Sequence, residues 1–77
     1  MFLHVSKAVY ITDYQLQLTF NNGEIRRVNL TDELYGEVFE PLRDKEFFQD
    51  FCLSDNTIEW KNGADFAPEF LFEIGQK

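Results

Sequence analysis

Residues 57–72, TIEWKNGADFAPEFLF, constrain the fold more than any other part of the chain. The first four residues are typical of a short strand, Asn62-Gly63 provides the left-handed backbone of a tight turn, and Pro68 favours the first turn of a helix. The helix must therefore fold back over the sheet that this strand joins. We expect the preceding residues to supply that sheet and the apolar surface beneath the helix.

The first predicted strand covers residues 5–11, in which one set of alternate residues is more apolar than the other. We expect the core-facing set to be Val5, Lys7, Val9 and Ile11. A two-residue connection at Thr12-Asp13 would place Val9 opposite Leu16 in a second strand over residues 15–20. The two strands would then present their apolar side chains on a shared face.

Asn21-Asn22-Gly23 is the strongest hairpin signal in the chain. A two-residue loop would oppose Leu16 to Asn29, whereas a three-residue loop with a left-handed Gly23 would oppose Leu16 to Val28. The second register is favoured because a slip of one residue moves every side chain to the other face of the sheet.

Residues 37–51 have a helical pattern that we expect to break into two short helices. Pro41 suits the first turn of the first helix, and Asp44 suits the N-cap of the second. Short strands follow at 52–54 and 57–60, and the last helix begins at Pro68. The order βββ-α-ββ-α predicts one α+β domain over residues 1–77, with a small, largely antiparallel sheet and the helices packed on one of its faces.

Charge narrows the range of partners. Fourteen acidic and seven basic residues give a net charge of −7. Nucleic-acid-binding domains usually carry a Lys/Arg surface that neutralises phosphates, and the only basic cluster here is Arg26-Arg27. Direct nucleic-acid contact is therefore the least favoured alternative. An acidic surface can attract a basic partner protein, and a homodimer is a further alternative.

Cys52 is the only cysteine, so no intramolecular disulfide can form. We expect a buried thiol between Phe51 and Leu53. The chain shows neither an apolar leader nor a run long enough to span a membrane. These features predict a cytoplasmic protein.

No catalytic set of residues is present, and we expect no enzyme activity, metal or cofactor. His4 is the only histidine and lies far in sequence from Cys52. The acidic residues Asp65, Glu69 and Glu73 lack the loop spacing of an oxygen-ligand cation site. The alternative function, a small-molecule or metal-binding regulatory domain or enzyme, would need a deep pocket near Arg43, Asp65 and Trp60.

The turn after the last strand has a clear structural interpretation. Gly63 supplies a positive φ, Trp60 anchors the turn, and Asp65 accepts backbone N–H groups ahead of Pro68. Arg43 is expected to form ion pairs with its acidic neighbours and to hold the helical segment against this turn. The structural signature is therefore Trp60, Asn62, Gly63, Asp65, Pro68 and Arg43.

A docking patch is the remaining candidate site. Phe72 falls outside the apolar stripe of the last helix, Tyr10 lies on the less buried face of the first strand, and Tyr35 lies in a loop. Exposed aromatic residues often dominate protein interfaces. We therefore predict that Phe72, Tyr10 and Tyr35 bind a partner. The alternative is that another chain pairs with the exposed edge of the small sheet.

Three motifs are specific in combination. They are Tyr14-x-Leu16-x-Leu18-x-Phe20 with Asn22-Gly23-Glu24; Val38-Phe39-Glu40-Pro41-Leu42-Arg43-Asp44; and Ile58-Glu59-Trp60-x-Asn62-Gly63-Ala64-Asp65 with Pro68. With these motifs the chain resembles domain-of-unknown-function family 2442, small bacterial proteins, over nearly its whole length. The resemblance implies the same order of strands and helices. It also implies an antitoxin-like role, since similar proteins are proposed to pair with a second small protein as toxin and antitoxin. The family supplies no catalytic residues to carry over.

Overall fold

A computed structural model describes residues 2–77. In chain order the elements are β1 (Val5–Thr12), β2 (Gln15–Phe20), β3 (Ile25–Asn29), α1 (Lys45–Gln49), β4 (Phe51–Ser54), β5 (Thr57–Trp60) and α2 (Pro68–Ile74). Two 3-10 turns, Thr31–Glu33 and Glu40–Arg43, precede α1. Strands β1, β2 and β3 form one antiparallel sheet and β4 and β5 form another. The predicted α+β class and element order are confirmed, with the strands divided between two sheets.

The β2–β3 hairpin has the predicted register. Leu16 lies opposite Val28, and Gly23 has a φ of 88°. With this φ, the three-residue loop keeps the apolar residues of both strands on the core side. Leu16, Leu18 and Val28 are completely buried as a result.

The predicted facing of β1 is confirmed at Val5, which is buried opposite Phe20, but is wrong from Lys7 onwards, because two irregularities in the pairing with β2 displace the alternation. The register shifts between Val5 and Lys7 and again between Tyr10 and Thr12. Each extra residue in one strand moves the following side chains to the opposite face. Ala8 and Tyr10 consequently face the core side.

Two residues that we expected to face inwards are therefore exposed: Val9 is 44% and Ile11 41% accessible. The connection to β2 is also displaced by one residue. The turn lies at Asp13-Tyr14, and Asp13 has a φ of 48°.

The core surrounds Trp60. This indole is 2% exposed, and its N–H donates to the carbonyl oxygen of Phe48 at 2.8 Å. Phe48 reaches Trp60 from α1, whose N-cap is Asp44 as predicted: the Asp44 carboxylate accepts from the backbone N–H of Glu46 at 3.0 Å. Because Phe48 also packs edge-on against Tyr14, α1 is held to both sheets.

Helix α2 is fixed to the three-stranded sheet by an arginine. Arg26 lies opposite Leu18, and its guanidinium carbon lies 3.7 Å from the centre of the Phe72 ring. Its Nη1 donates to the Phe72 carbonyl at 2.8 Å, and its Nη2 lies 3.3 Å from Glu24. Phe72 itself packs edge-on against Phe20. Both helices therefore pack on the face of the sheet that carries Leu18 and Phe20.

The thiol of Cys52 is exposed, which corrects the expected burial. Cys52 belongs to β4, where it lies opposite Glu59 of β5, and its neighbour Leu53 is 48% accessible. The core covers β5 instead, where Thr57, Ile58 and Trp60 are buried. No helix within residues 2–77 has the length and apolar character needed to cross a membrane.

Candidate partner-binding groove

The three residues predicted to bind a partner lie in different surroundings. Tyr10 is half-buried and packs edge-on against Phe48, with ring centres 6.2 Å apart. Phe72 is half-buried beneath Arg26, which leaves Tyr35 as the one largely exposed ring of the three, 68% accessible. Across residues 2–77, no aromatic contact joins any two of them.

Tyr35 lies at the edge of an open groove of about 620 Å³, between the loop over residues 34–39 and the start of α2. The floor of this groove consists of Phe39, Phe66 and Phe70. Its wall includes Tyr35, Gly36 and Val38, and its acidic rim consists of Glu33, Glu37 and Asp65. The groove thus places an apolar surface beside carboxylates.

The three floor rings are stacked. Phe39 and Phe66 have centres 4.6 Å apart and planes inclined by 23°, and Phe66 and Phe70 have centres 5.9 Å apart and planes inclined by 16°. Below them, Trp60 meets Phe66 edge-on at 6.0 Å. The floor is therefore a direct extension of the hydrophobic core, and its shape is fixed by packing.

The wall is held by side chains that the sequence analysis identified. The Nε of Arg43 donates to the Leu34 carbonyl at 2.9 Å, and the Asn62 amide donates to the Val38 carbonyl at 2.8 Å. Between these two points Gly36 has a φ of 89°, which a residue with a Cβ rarely adopts. These two hydrogen bonds attach the loop to the Glu40–Arg43 turn and to the turn at Asn62.

The floor is held in a similar way from β5. The Thr57 hydroxyl donates to the Phe66 carbonyl at 2.6 Å in a buried position. Asn62 also organises the adjoining turn, because its side-chain oxygen accepts from the backbone N–H of Ala64 at 3.1 Å. Gly63 has the expected positive φ, 88°, and Pro68 begins α2 as predicted.

Two of the expected interactions differ in the structure. The Asp65 side chain is exposed at the groove, and the role of accepting a backbone N–H in this turn belongs to Asn62. Arg43 forms no ion pair among residues 2–77 and instead binds the Leu34 carbonyl. The backbone carbonyl of Arg43 in turn accepts from the Tyr14 hydroxyl.

Arg43, Asp65 and Trp60 line three separate depressions in the surface. A small-molecule or metal-binding site at these residues would need one deep pocket that all three line, and they do not share one. Over the described part of the chain, no three His, Cys, Asp or Glu residues cluster as metal ligands do.

The acidic rim has no basic partner within the described chain. The ion pairs of residues 2–77 are Arg26–Glu24, Lys45–Asp13, Lys61–Asp50 and Lys77–Glu24, and none of them involves the rim. Hydrogen bonds from Lys45 to Asp13 and from Lys61 to Asp50 raise the pKa of each lysine above its ordinary value. The carboxylates of Glu33, Glu37 and Asp65 thus leave a local excess of negative charge beside the aromatic floor.

Sequence reasoning missed the floor residues. Phe66 and Phe70 have the i, i+4 spacing of neighbours on one helix face, a signal that the intervening Pro68 obscures because α2 begins there. Phe39 gives no comparable signal, since its contact with Phe66 joins two distant segments of the chain. Only the folded structure brings the three rings together.

One family model, with the description "Protein of unknown function (DUF2442)", matches residues 5–76 and so includes every residue of the groove. Comparisons with curated proteins and with solved structures found no match.

Proposed function

The chain belongs to the DUF2442 family, and we propose that it is a non-catalytic interaction module that binds a basic partner protein in the groove. The observation that carries this proposal is the combination of a stacked Phe floor with three carboxylates at its edge. Protein interfaces commonly pair an apolar centre with a polar rim. The groove offers both on a wall that is already in place.

Exposed apolar residues beside the floor support the proposal. Tyr35 is 68% and Val38 50% accessible, and both would be covered by a protein segment lying in the groove. A net charge of −7 would draw a basic partner towards the rim and accelerate association at low ionic strength. The conformation of the loop would contribute further, because little ordering entropy remains to be lost on binding.

We further propose that binding restrains the partner, as the antitoxin-like pairing of similar proteins implies. Under the same proposal the protein acts in the cytoplasm, and the single exposed thiol of Cys52 supports this because it suits a reducing compartment. Restraint of this kind requires the module to occupy a surface that the partner needs for its own activity.

Co-expression with the protein encoded by the neighbouring reading frame tests the proposal. We expect the two proteins to copurify and to remain associated in gel filtration at micromolar concentration, with an affinity that falls as salt is added. The Val38→Ser substitution should weaken the complex, whereas Ile25→Ser, at a similarly exposed apolar site on the sheet, should leave it unchanged. Failure to associate at micromolar concentration would refute the proposal.

Binding of a small apolar ligand is a second candidate, favoured by the size of the groove. Its volume of about 620 Å³ lies within the roughly 300–1,000 Å³ of small-molecule sites. Calorimetry with a panel of metabolites and metals would reveal such a ligand. Injections without heat throughout would remove this candidate.

Nucleic-acid contact is supported least. The guanidinium of Arg26 contacts Phe72 and Glu24 within the chain, so only Arg27 of the predicted basic pair remains to contact a phosphate.

A further inference from the structure

We propose that the groove selects an arginine side chain, presented by a segment of the partner that also carries apolar residues. This inference rests on the proposed function and specifies the chemistry of the partner. The guanidinium would stack on the outer face of an end ring of the floor, Phe39 or Phe70, while its N–H groups donate to the carboxylates of the rim. Arginine would therefore be preferred to lysine and to any neutral side chain.

The chain already holds one guanidinium in this way. The Arg26 guanidinium lies 3.7 Å over the Phe72 ring and 3.3 Å from a Glu24 oxygen, in a half-buried position. The groove presents the same two groups, an aromatic face and a carboxylate, and none of the ion pairs of residues 2–77 involves its rim. An arginine from outside would complete the arrangement that Arg26 completes internally.

The two ends of the floor favour a planar cation. Phe66 lies between Phe39 and Phe70 in the stack, so both of its faces are covered, whereas the half-buried Phe39 and Phe70 each keep one face that no ring of the stack covers. A guanidinium is flat, weakly hydrated and able to stack on such faces, whereas an ammonium group is compact and strongly hydrated. The methylene groups of an arginine can pack against Val38 while its charge reaches the rim.

A second copy of the chain fits the groove poorly. Two chains with a charge of −7 each would bring their acidic surfaces together. Of the chain's own arginines, Arg26 is committed to Phe72 and Arg43 to the Leu34 carbonyl. Arg27 is exposed on the outer face of β3, and repulsion between the two acidic chains is what disfavours its use by a second copy. The arginine is therefore expected to come from a different protein.

Labelled peptides test the preference directly on the full chain. Three short fluorescein-labelled peptides would share one leucine-containing sequence and differ at a central arginine, lysine or citrulline. Citrulline keeps the shape of arginine without its charge. We expect the arginine peptide to bind about tenfold more tightly than the citrulline peptide and about threefold or more than the lysine peptide, as measured by fluorescence anisotropy.

The position of binding is tested by NMR on the same samples. Amide shifts on adding the arginine peptide should be concentrated in residues 34–39 and 65–70. Equal or tighter binding of the lysine peptide, or shifts concentrated elsewhere, would overturn the inference.

A matched pair of variants separates the rim from the overall charge. Glu37→Gln removes an exposed carboxylate at the groove, and Glu73→Gln removes an exposed carboxylate on α2, away from the groove. We expect Glu37→Gln to lower the affinity for the arginine peptide about threefold to tenfold, and Glu73→Gln to lower it less than about twofold.

The same variants distinguish this inference from the proposed function. A partner complex that both variants weaken equally, together with no preference for the arginine peptide, would overturn the arginine assignment and leave the interaction module standing. Selective binding of the arginine peptide without any partner complex would overturn the proposed function alone.

Discussion

Replacement of Thr57 by valine tests how the groove floor is attached to the core. The Thr57 hydroxyl donates to the Phe66 carbonyl at 2.6 Å, and both residues are buried. Valine keeps the branched shape and the strand preference of threonine but cannot donate. Among the hydrogen bonds of the described residues, this is the one that the Phe66 carbonyl accepts.

The expected cost follows from that unpaired carbonyl. Leaving a buried acceptor without a donor costs about 1–3 kcal/mol. The added methyl group returns up to about 0.8 kcal/mol through burial. The free energy of unfolding should therefore fall by about 0.2–2 kcal/mol, with a central value of about 1 kcal/mol, and each 1 kcal/mol lowers the Tm of a domain of this size by about 4–8 °C.

Urea and thermal unfolding, followed by the fluorescence of the single Trp60, measure this change. Thr31→Val is the control, because the Thr31 hydroxyl donates to Asn29 on the exposed surface and its loss should cost less than about 0.5 kcal/mol. A Thr57→Val variant as stable as the original chain would show that the hydrogen bond from Thr57 to the Phe66 carbonyl does not stabilise the floor.

Three further predictions concern other contacts. Gly75→Ala would place a Cβ 2.8 Å from the Cβ of Arg26, and this overpacking should destabilise the protein by about 1–3 kcal/mol in urea unfolding; unchanged stability would contradict it. Asn62→Ala should lower stability by about 1 kcal/mol and shift the amide signals of residues 34–39 in NMR spectra, whereas unchanged signals would show that the wall does not depend on this amide. The hydrogen bond with Asp13 raises the pKa of Lys45 above 10.5, so the stability from this pair is complete below that pH and is lost as the pH rises through the higher pKa of the folded state. A Lys45→Met variant should therefore show a smaller loss of stability at alkaline pH than the original chain, and an equal loss would refute the assignment.

The parts of the fold that the sequence predicts correctly are those governed by local backbone chemistry. Gly23 and Gly63 adopt the positive φ that their turns require, and Asp44 caps α1. Each of these outcomes depends on a few consecutive residues. The register of β2 and β3 follows as well, because only one loop length keeps both apolar faces together.

The errors arise where distant contacts override a local pattern. Lys7 interrupts the apolar set of β1, and the shifts in the pairing of β1 with β2 replace that set by Ala8 and Tyr10. Cys52 has apolar neighbours, yet it lies opposite Glu59 in the two-stranded sheet and the core covers β5, so its thiol is exposed. Neither the pairing shifts nor the position of β4 can be inferred from spacing along the chain.

The candidate site also combines a feature that local sequence predicts with one that depends on distant contacts. The sequence singles out Asn62 for its turn, and the structure adds a second role, because the same amide side chain bonds both the turn at Ala64 and the wall at Val38. Asn62 thus links the turn to the wall, and the groove is complete only when the segment after β5 is folded. A partner that binds the groove must therefore bind the folded state in preference to the unfolded one, and its binding adds to the stability of the domain. Under the proposed function, the small core of this 77-residue chain would make the abundance of the folded module depend on whether the partner is bound.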